Sequence, residues 1–190
     1  QGVVSADAGA TVGDALDAAI DWMEHKPEGA ATPWPDVTAA TNGLLAGQMI
    51  TVAARPGHGK SLVAKDVALQ TARDGKAVHV ATLEMSRNEY MARILAGLAS
   101  VDLGRILRRE LSDDEWGRIG AAAEKVRGLP LWLDDRENQT MAKIRAAART
   151  TQRRLGPLGL IAIDYAQLIT PSDRRMPREQ QVAEISRQTK

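Results

Sequence analysis

Residues 49–69 read MITVAARPGHGKSLVAKDVAL. An apolar run ends at Ala54, the chain turns through Arg55, Pro56, Gly57, His58 and Gly59, and a helical pattern starts at Lys60 and Ser61. Strand, glycine turn and helix in that order spell a phosphate-binding loop, G-x-x-x-x-G-K-[ST], with Ala54 where the first glycine is usual. The chemistry explains the residue types. Backbone N–H groups must converge on phosphate oxygens, so the tight positions, Gly57 and Gly59, carry no side chain. Lys60 is placed to reach the β- and γ-phosphates, the Ser61 hydroxyl to hold Mg²⁺, and Leu62 opens the helix whose N-terminus favours an anion. Ala54 costs little if that residue keeps ordinary strand-end backbone.

Outward from this loop the pattern alternates. Residues 49–54 are a buried-strand candidate, and 60–75 read as a helix that Gly75 can end. AVHVATL (77–83) is a strand, and Ser86 with Glu89 forms a capping box for the next helix. Ser112 with Glu115 repeats the device for a helix ending at Gly128. LPLWLDD (129–135), a helix over 140–156, and LGLIAIDYAQL (158–168) follow, and a last helix begins near residue 178. Strands alternating with helices predict an α/β fold with a mostly parallel sheet flanked by helices. Ligands of such sheets bind at the carboxyl ends of the strands.

Two carboxylates stand at such ends. Asp164 closes LIAID, apolar strand then aspartate, where a Mg²⁺ ligand is wanted. Glu84 closes AVHVATLE and can face the γ-phosphate as the acid that activates water. Asp134 and Asp135 also end a strand and stand as lesser candidates for the metal's surroundings. His25, His58 and His79 lack a metal-ligating spacing.

Composition bounds the rest. The chain has 190 residues, 44% of them apolar, which suits one domain with a small appendage. It has no cysteine, which excludes disulfide and Cys-based zinc frameworks and fits a reducing compartment such as the cytoplasm. No apolar run reaches the ~18 residues of a membrane span, and nothing reads as a signal peptide. The chain starts at Gln1 and reads as an excised or processed piece. Net charge is +1, but residues 1–51 carry −6 and residues 143–190 carry +6. The basic end, with Arg145, Arg149, Arg153 and Arg154 on one helix and three arginines in 173–178, suits a phosphate backbone or a solvated face. Before the loop, Thr11 can cap a helix whose apolar face holds Val12, Leu16, Ala19, Ile20 and Met23, and the Pro-rich residues 27–36 read as a linker. That helix either packs on its own domain or docks on a neighbour.

AARPGHGKS with its Ala54, TLEMS (82–86), LDD (133–135), GLIAIDYAQL (159–168) and AEISRQTK (183–190) together resemble the RecA-like motor domain of DnaB-type replicative helicases, from about residue 32 onward. Alanine at the first glycine position is that family's habit. The resemblance implies a RecA-like P-loop NTPase core over 37–190, incomplete at its C-terminus, preceded over 1–36 by a tail, a linker helix and a linker. It implies ATP and Mg²⁺ at residues 54–62, Lys60 and Glu84 as catalytic residues, and Ser61 and Asp164 on the metal. It further implies 5′–3′ travel on single-stranded DNA at a replication fork, a homo-oligomeric, hexameric ring with the first helix docked on the next subunit, and a primase or loader as partner. The family's sensor residue, DNA-contacting loops and arginine finger lie beyond the AEISR helix. The isolated chain is therefore expected to turn over slowly, since such a finger contributes ~10³–10⁵ in rate. The competing readings are an ATP-binding, non-catalytic regulator of a helicase ring and another RecA-like ATPase. TLEMS and IDYAQL speak against the second.

Overall fold

The computed structural model describes residues 11–24, 29–55, 57–165 and 168–170. Its elements are α1 (Val12–Glu24), α2 (Pro35–Thr41), α3 (Lys60–Arg73), β1 (Ala77–Thr82), α4 (Arg87–Ala99), α5 (Leu103–Arg108), α6 (Asp113–Val126), β2 (Leu131–Asp134), α7 (Met141–Leu155) and β3 (Leu158–Asp164). The strands form a parallel sheet in the order β2-β1-β3. The expected helix at 178–190 and the arginines of 173–178 lie outside the described residues.

Local sequence explains most helix starts. The Ser112 side chain accepts from the Glu115 N–H, and the Glu115 carboxylate accepts from the Ser112 N–H, so two first-turn donors are satisfied at once. Hydrogen bonds from Ser112, with the charges of Arg105 and Arg118, hold the Glu115 carboxyl below its usual range against the opposing effect of burial. At Ser86 only the first half of the box forms, to the Glu89 N–H. Thr140 caps α7 and Gly156 ends it.

β1 is buried throughout, so both its faces are covered. Val78 and Val80 pack with Ala68, Leu69 and Ala72 of α3 and with Tyr90 and Ile94 of α4. Ala81 packs on the other side with Met141 and Ile144 of α7. Burying each such valine or isoleucine contributes roughly 1.5–3 kcal/mol. A smaller cluster of Ala99, Val101, Ile119 and Ala122 joins α4 to α6.

The structure departs from the sequence reading in three places. Residues 49–54 form no strand, and Met49, Ile50 and Val52 are exposed. A strand needs a ladder partner, and β3, the nearest candidate, stands at the sheet edge among the described residues. For the same reason Ile161 is 46% exposed although its strand reads as apolar on both faces. Part of the Pro-rich stretch is ordered rather than a simple linker: Ala30 bridges Leu44, and Thr32 bonds Thr38 at the start of α2.

Candidate active site at the strand ends

The loop from Arg55 delivers the chain to α3 through two glycines in left-handed conformation, φ 78° at Gly57 and 81° at Gly59. That φ, rather than lack of room, requires glycine here, because a Cβ on Gly57 would touch nothing within 4 Å. Gly59 is the N-cap of α3 and offers no side-chain cap. The first turn of this 14-residue helix carries Lys60 and no acid. Its N–H groups are therefore left for an external acceptor, and the helix dipole favours a negative one. Arg55, Gly57, His58 and Leu62 are exposed beside them, and Pro56 lies outside the described residues.

Asp164, at the carboxyl end of β3, is 3% exposed. The Ser61 hydroxyl donates to its Oδ1 at 3.1 Å across 103 positions of sequence. Its Oδ2 is buried with no hydrogen-bond partner among the described residues. The Lys60 ammonium stands 5.3 Å from the ring centre of Tyr165. Thr82 pairs in register with Asp164, the Leu83 N–H donates to the Asp164 carbonyl at 2.8 Å, and the Thr82 hydroxyl donates to the Met85 carbonyl at 2.8 Å. The short turn so pinned carries Glu84, exposed, two residues beyond the position that pairs with Asp164. Lys60, Ser61, Asp164 and Glu84 thus converge from α3, β3 and the end of β1.

Beside Ser61 a cavity of about 360 Å³ opens between α3 and α4. Ser61, Leu62, Lys65, Tyr90, Arg93 and Leu103 are among the residues lining it. Sequence reasoning missed it, because Tyr90 and Lys65 read as ordinary helix positions. The Tyr90 hydroxyl and Arg93 Nε are buried donors without partners among the described residues, while Lys65 is paired with Asp66 at 2.9 Å. Burial, then the charges of Asp164 and Asp66, push the Tyr90 phenol above its usual range, so it stays protonated and able to donate.

Asp134 and Asp135 are not open to a metal. Arg136 grips both oxygens of Asp134 at 2.7 and 2.8 Å, and the Gln139 amide donates to both. Burial would raise the Asp134 pKa, but the hydrogen bonds and charge of Arg136 outweigh it and hold the carboxyl below its usual range. Asp135 is taken by the backbone and guanidinium of Arg87. His79, fully buried on β1, bonds the Thr151 hydroxyl at 2.9 Å and stands 3.9 Å from Asp134. It belongs to this structural network.

Over residues 29–190 the chain matches the model of the DnaB-like helicase C terminal domain. The chain belongs to this family. It is 38% identical over 184 residues to the replicative DNA helicase DnaB of Leifsonia xyli subsp. xyli, covering 93% of this chain and 40% of that protein. It is 32% identical over 174 residues to the DnaB of Geobacillus stearothermophilus, covering 88% and 38%. The chain therefore spans less than half the length of these relatives. Among solved structures, the ATPase domain of another helicase superposes with TM-score 0.84 at 24% identity, over 95% of this chain and 66% of that one. A DnaB-like replicative helicase, described with its interactions with primase, superposes with TM-score 0.82 at 24% identity, over 96% and 45%. These likenesses carry the fold: the three-stranded parallel sheet and its helices match the RecA-like ATPase domain of DnaB-like helicases. Among the described residues no helix is long and apolar enough to cross a membrane.

Proposed function

We propose that this chain is the ATP-hydrolysing part of a ring-forming motor that travels 5′–3′ on single-stranded DNA and separates the duplex at a replication fork. The observation that carries the reading is the Ser61–Asp164 hydrogen bond with Lys60 and Glu84 converging beside it. The uncapped first turn of α3 and the two glycines cradle the phosphates, and Lys60 places its charge on them. The cavity beside Ser61 is large enough for the nucleoside half, with Tyr90 and Arg93 donating into it. Ser61 and Asp164 would hold Mg²⁺, and the unpartnered Asp164 Oδ2 fits a cation. One carboxylate and one hydroxyl suit Mg²⁺, which keeps waters and takes phosphate oxygens for its remaining ligands. When bound, the ion neutralises charge on the phosphates. Glu84 orients the attacking water and takes its proton.

Two surfaces support the rest. Val12, Leu16, Ile20 and Met23 of α1 are 44–87% exposed, an apolar stripe that a neighbouring copy would cover in a ring. α7 carries Lys143, Arg145, Arg149, Arg153 and Arg154 and no acid, as a phosphate backbone would favour. A primase or loader would meet the assembled ring. The test is ATP turnover by the full chain at several protein concentrations, with and without single-stranded DNA. Turnover that rises with both, and that Glu84→Gln abolishes while sparing nucleotide binding, is expected. Equal turnover by Glu84→Gln would refute the mechanism.

A further inference from the structure

Lys60 and Ser61 are consecutive at the start of α3, and Asp164 and Tyr165 are consecutive at the end of β3. They meet in order: Ser61 bonds Asp164 at 3.1 Å, and the Lys60 ammonium lies over the Tyr165 ring at 5.3 Å. This arrangement leaves a stronger contact unmade. An ammonium next to a buried carboxylate gains most by pairing with it, because the attraction grows as the local dielectric falls. Asp164 is buried, its Oδ2 has no hydrogen-bond partner, and among the described residues no lysine pairs with it. The ring takes the cation instead, through the negative face of its quadrupole.

We infer that Tyr165 is a positioning residue that holds Lys60 off Asp164, so that the free carboxylate oxygen stays open to the divalent cation and the ammonium stays free to move onto phosphate. The inference rests on the nucleotide-site reading above. A ring face suits the task because its hold on a cation is weak beside that of a phosphate, and it surrenders the lysine when nucleotide arrives. An aliphatic side chain at 165 offers the ammonium nothing. Lys60 then collapses onto Asp164 Oδ2, and the metal must displace it.

The test is binding of a fluorescent ATP analogue to the full chain, titrated with Mg²⁺, for the wild type, Tyr165→Phe and Tyr165→Leu. Tyr165→Phe keeps the ring face and should keep the wild-type Mg²⁺ midpoint. Tyr165→Leu should raise that midpoint by about threefold or more, the scale of a cation–π contact, with metal-free nucleotide affinity unchanged. A general structural defect would weaken binding with and without metal alike. Equal midpoints for Tyr165→Leu and Tyr165→Phe would overturn the inference. No nucleotide binding by the wild type would overturn the site reading instead. If Tyr165→Leu fails to fold, proton NMR of the nucleotide-free wild type decides. The Lys60 ε-methylene, assigned by its loss in Lys60→Ala, should be shifted upfield by the ring and should move on adding nucleotide. An unshifted resonance overturns the inference.

Discussion

Replacing His79 by Leu should remove a measurable part of the chain's acid sensitivity. His79 is fully buried in the middle of β1, and its Nε2 has no hydrogen-bond partner among the described residues. Burial lowers its pKa below the ordinary 6.5; the Asp134 carboxylate opposes that shift and Arg136 reinforces it. A histidine whose folded pKa is depressed is fully compatible with the fold above its unfolded value. Below it the unfolded chain binds the extra proton, so stability is lost as pH falls from 6.5 toward the folded pKa. If the folded form takes no proton, linkage sets the loss between about pH 7.5 and pH 5.5 at up to ~1.4 kcal/mol. For a domain of this size that is a fall in Tm of roughly 3–6 °C. Thr151 keeps its bond to the Ala147 carbonyl when the imidazole is gone, so leucine strands no donor there. The assay is thermal or urea unfolding of both proteins at the two pH values. Any fixed cost of the substitution cancels in the difference. The wild type should lose more stability on acidification than His79→Leu. Equal losses, or a greater loss in the variant, would show that the folded state accepts the proton and that Asp134 outweighs burial.

Other expectations concern single contacts. Ser112→Ala removes both halves of a capping box and should cost about 1 kcal/mol in urea unfolding. Asp134→Ala strips Arg136 and the buried Gln139 amide of their acceptor and should cost about 1–3 kcal/mol, with little change in nucleotide affinity. Leu16→Asp with Ile20→Asp should weaken self-association in sedimentation velocity without lowering the Tm, since both side chains are exposed within the chain.

What could be read from the sequence was local or periodic. The Ser112 box, the Gly156 stop and the turn through Gly57 and Gly59 each rest on neighbours a few residues apart. The strand-end positions of Asp164 and Glu84 followed from apolar runs, and the structure brings both beside Ser61. What escaped depended on partners far along the chain. Residues 49–54 have a strand's composition, but pairing is decided by what lies alongside. α2 was hidden because Pro35 begins it, and proline at the first helical position also reads as linker chemistry. Asp134 and Asp135 stood among candidates for the metal's surroundings, yet Arg136 and Arg87 occupy them. Arg136 lies two residues away and was the available signal. His79 within AVHVAT could have been marked as buried, but not its bond to Thr151, 72 residues on. The Lys60–Tyr165 contact and the cavity under Tyr90 have no sequence signature.

The most direct test of the central claim is the affinity of the chain for an ATP analogue with Mg²⁺, compared between the wild type and Lys60→Ala. The account predicts saturable binding by the wild type that Lys60→Ala weakens by about tenfold or more, the scale of a charge-assisted contact to phosphate. Unchanged affinity in Lys60→Ala would mean that the loop at residues 54–62 is not where this chain holds a nucleotide.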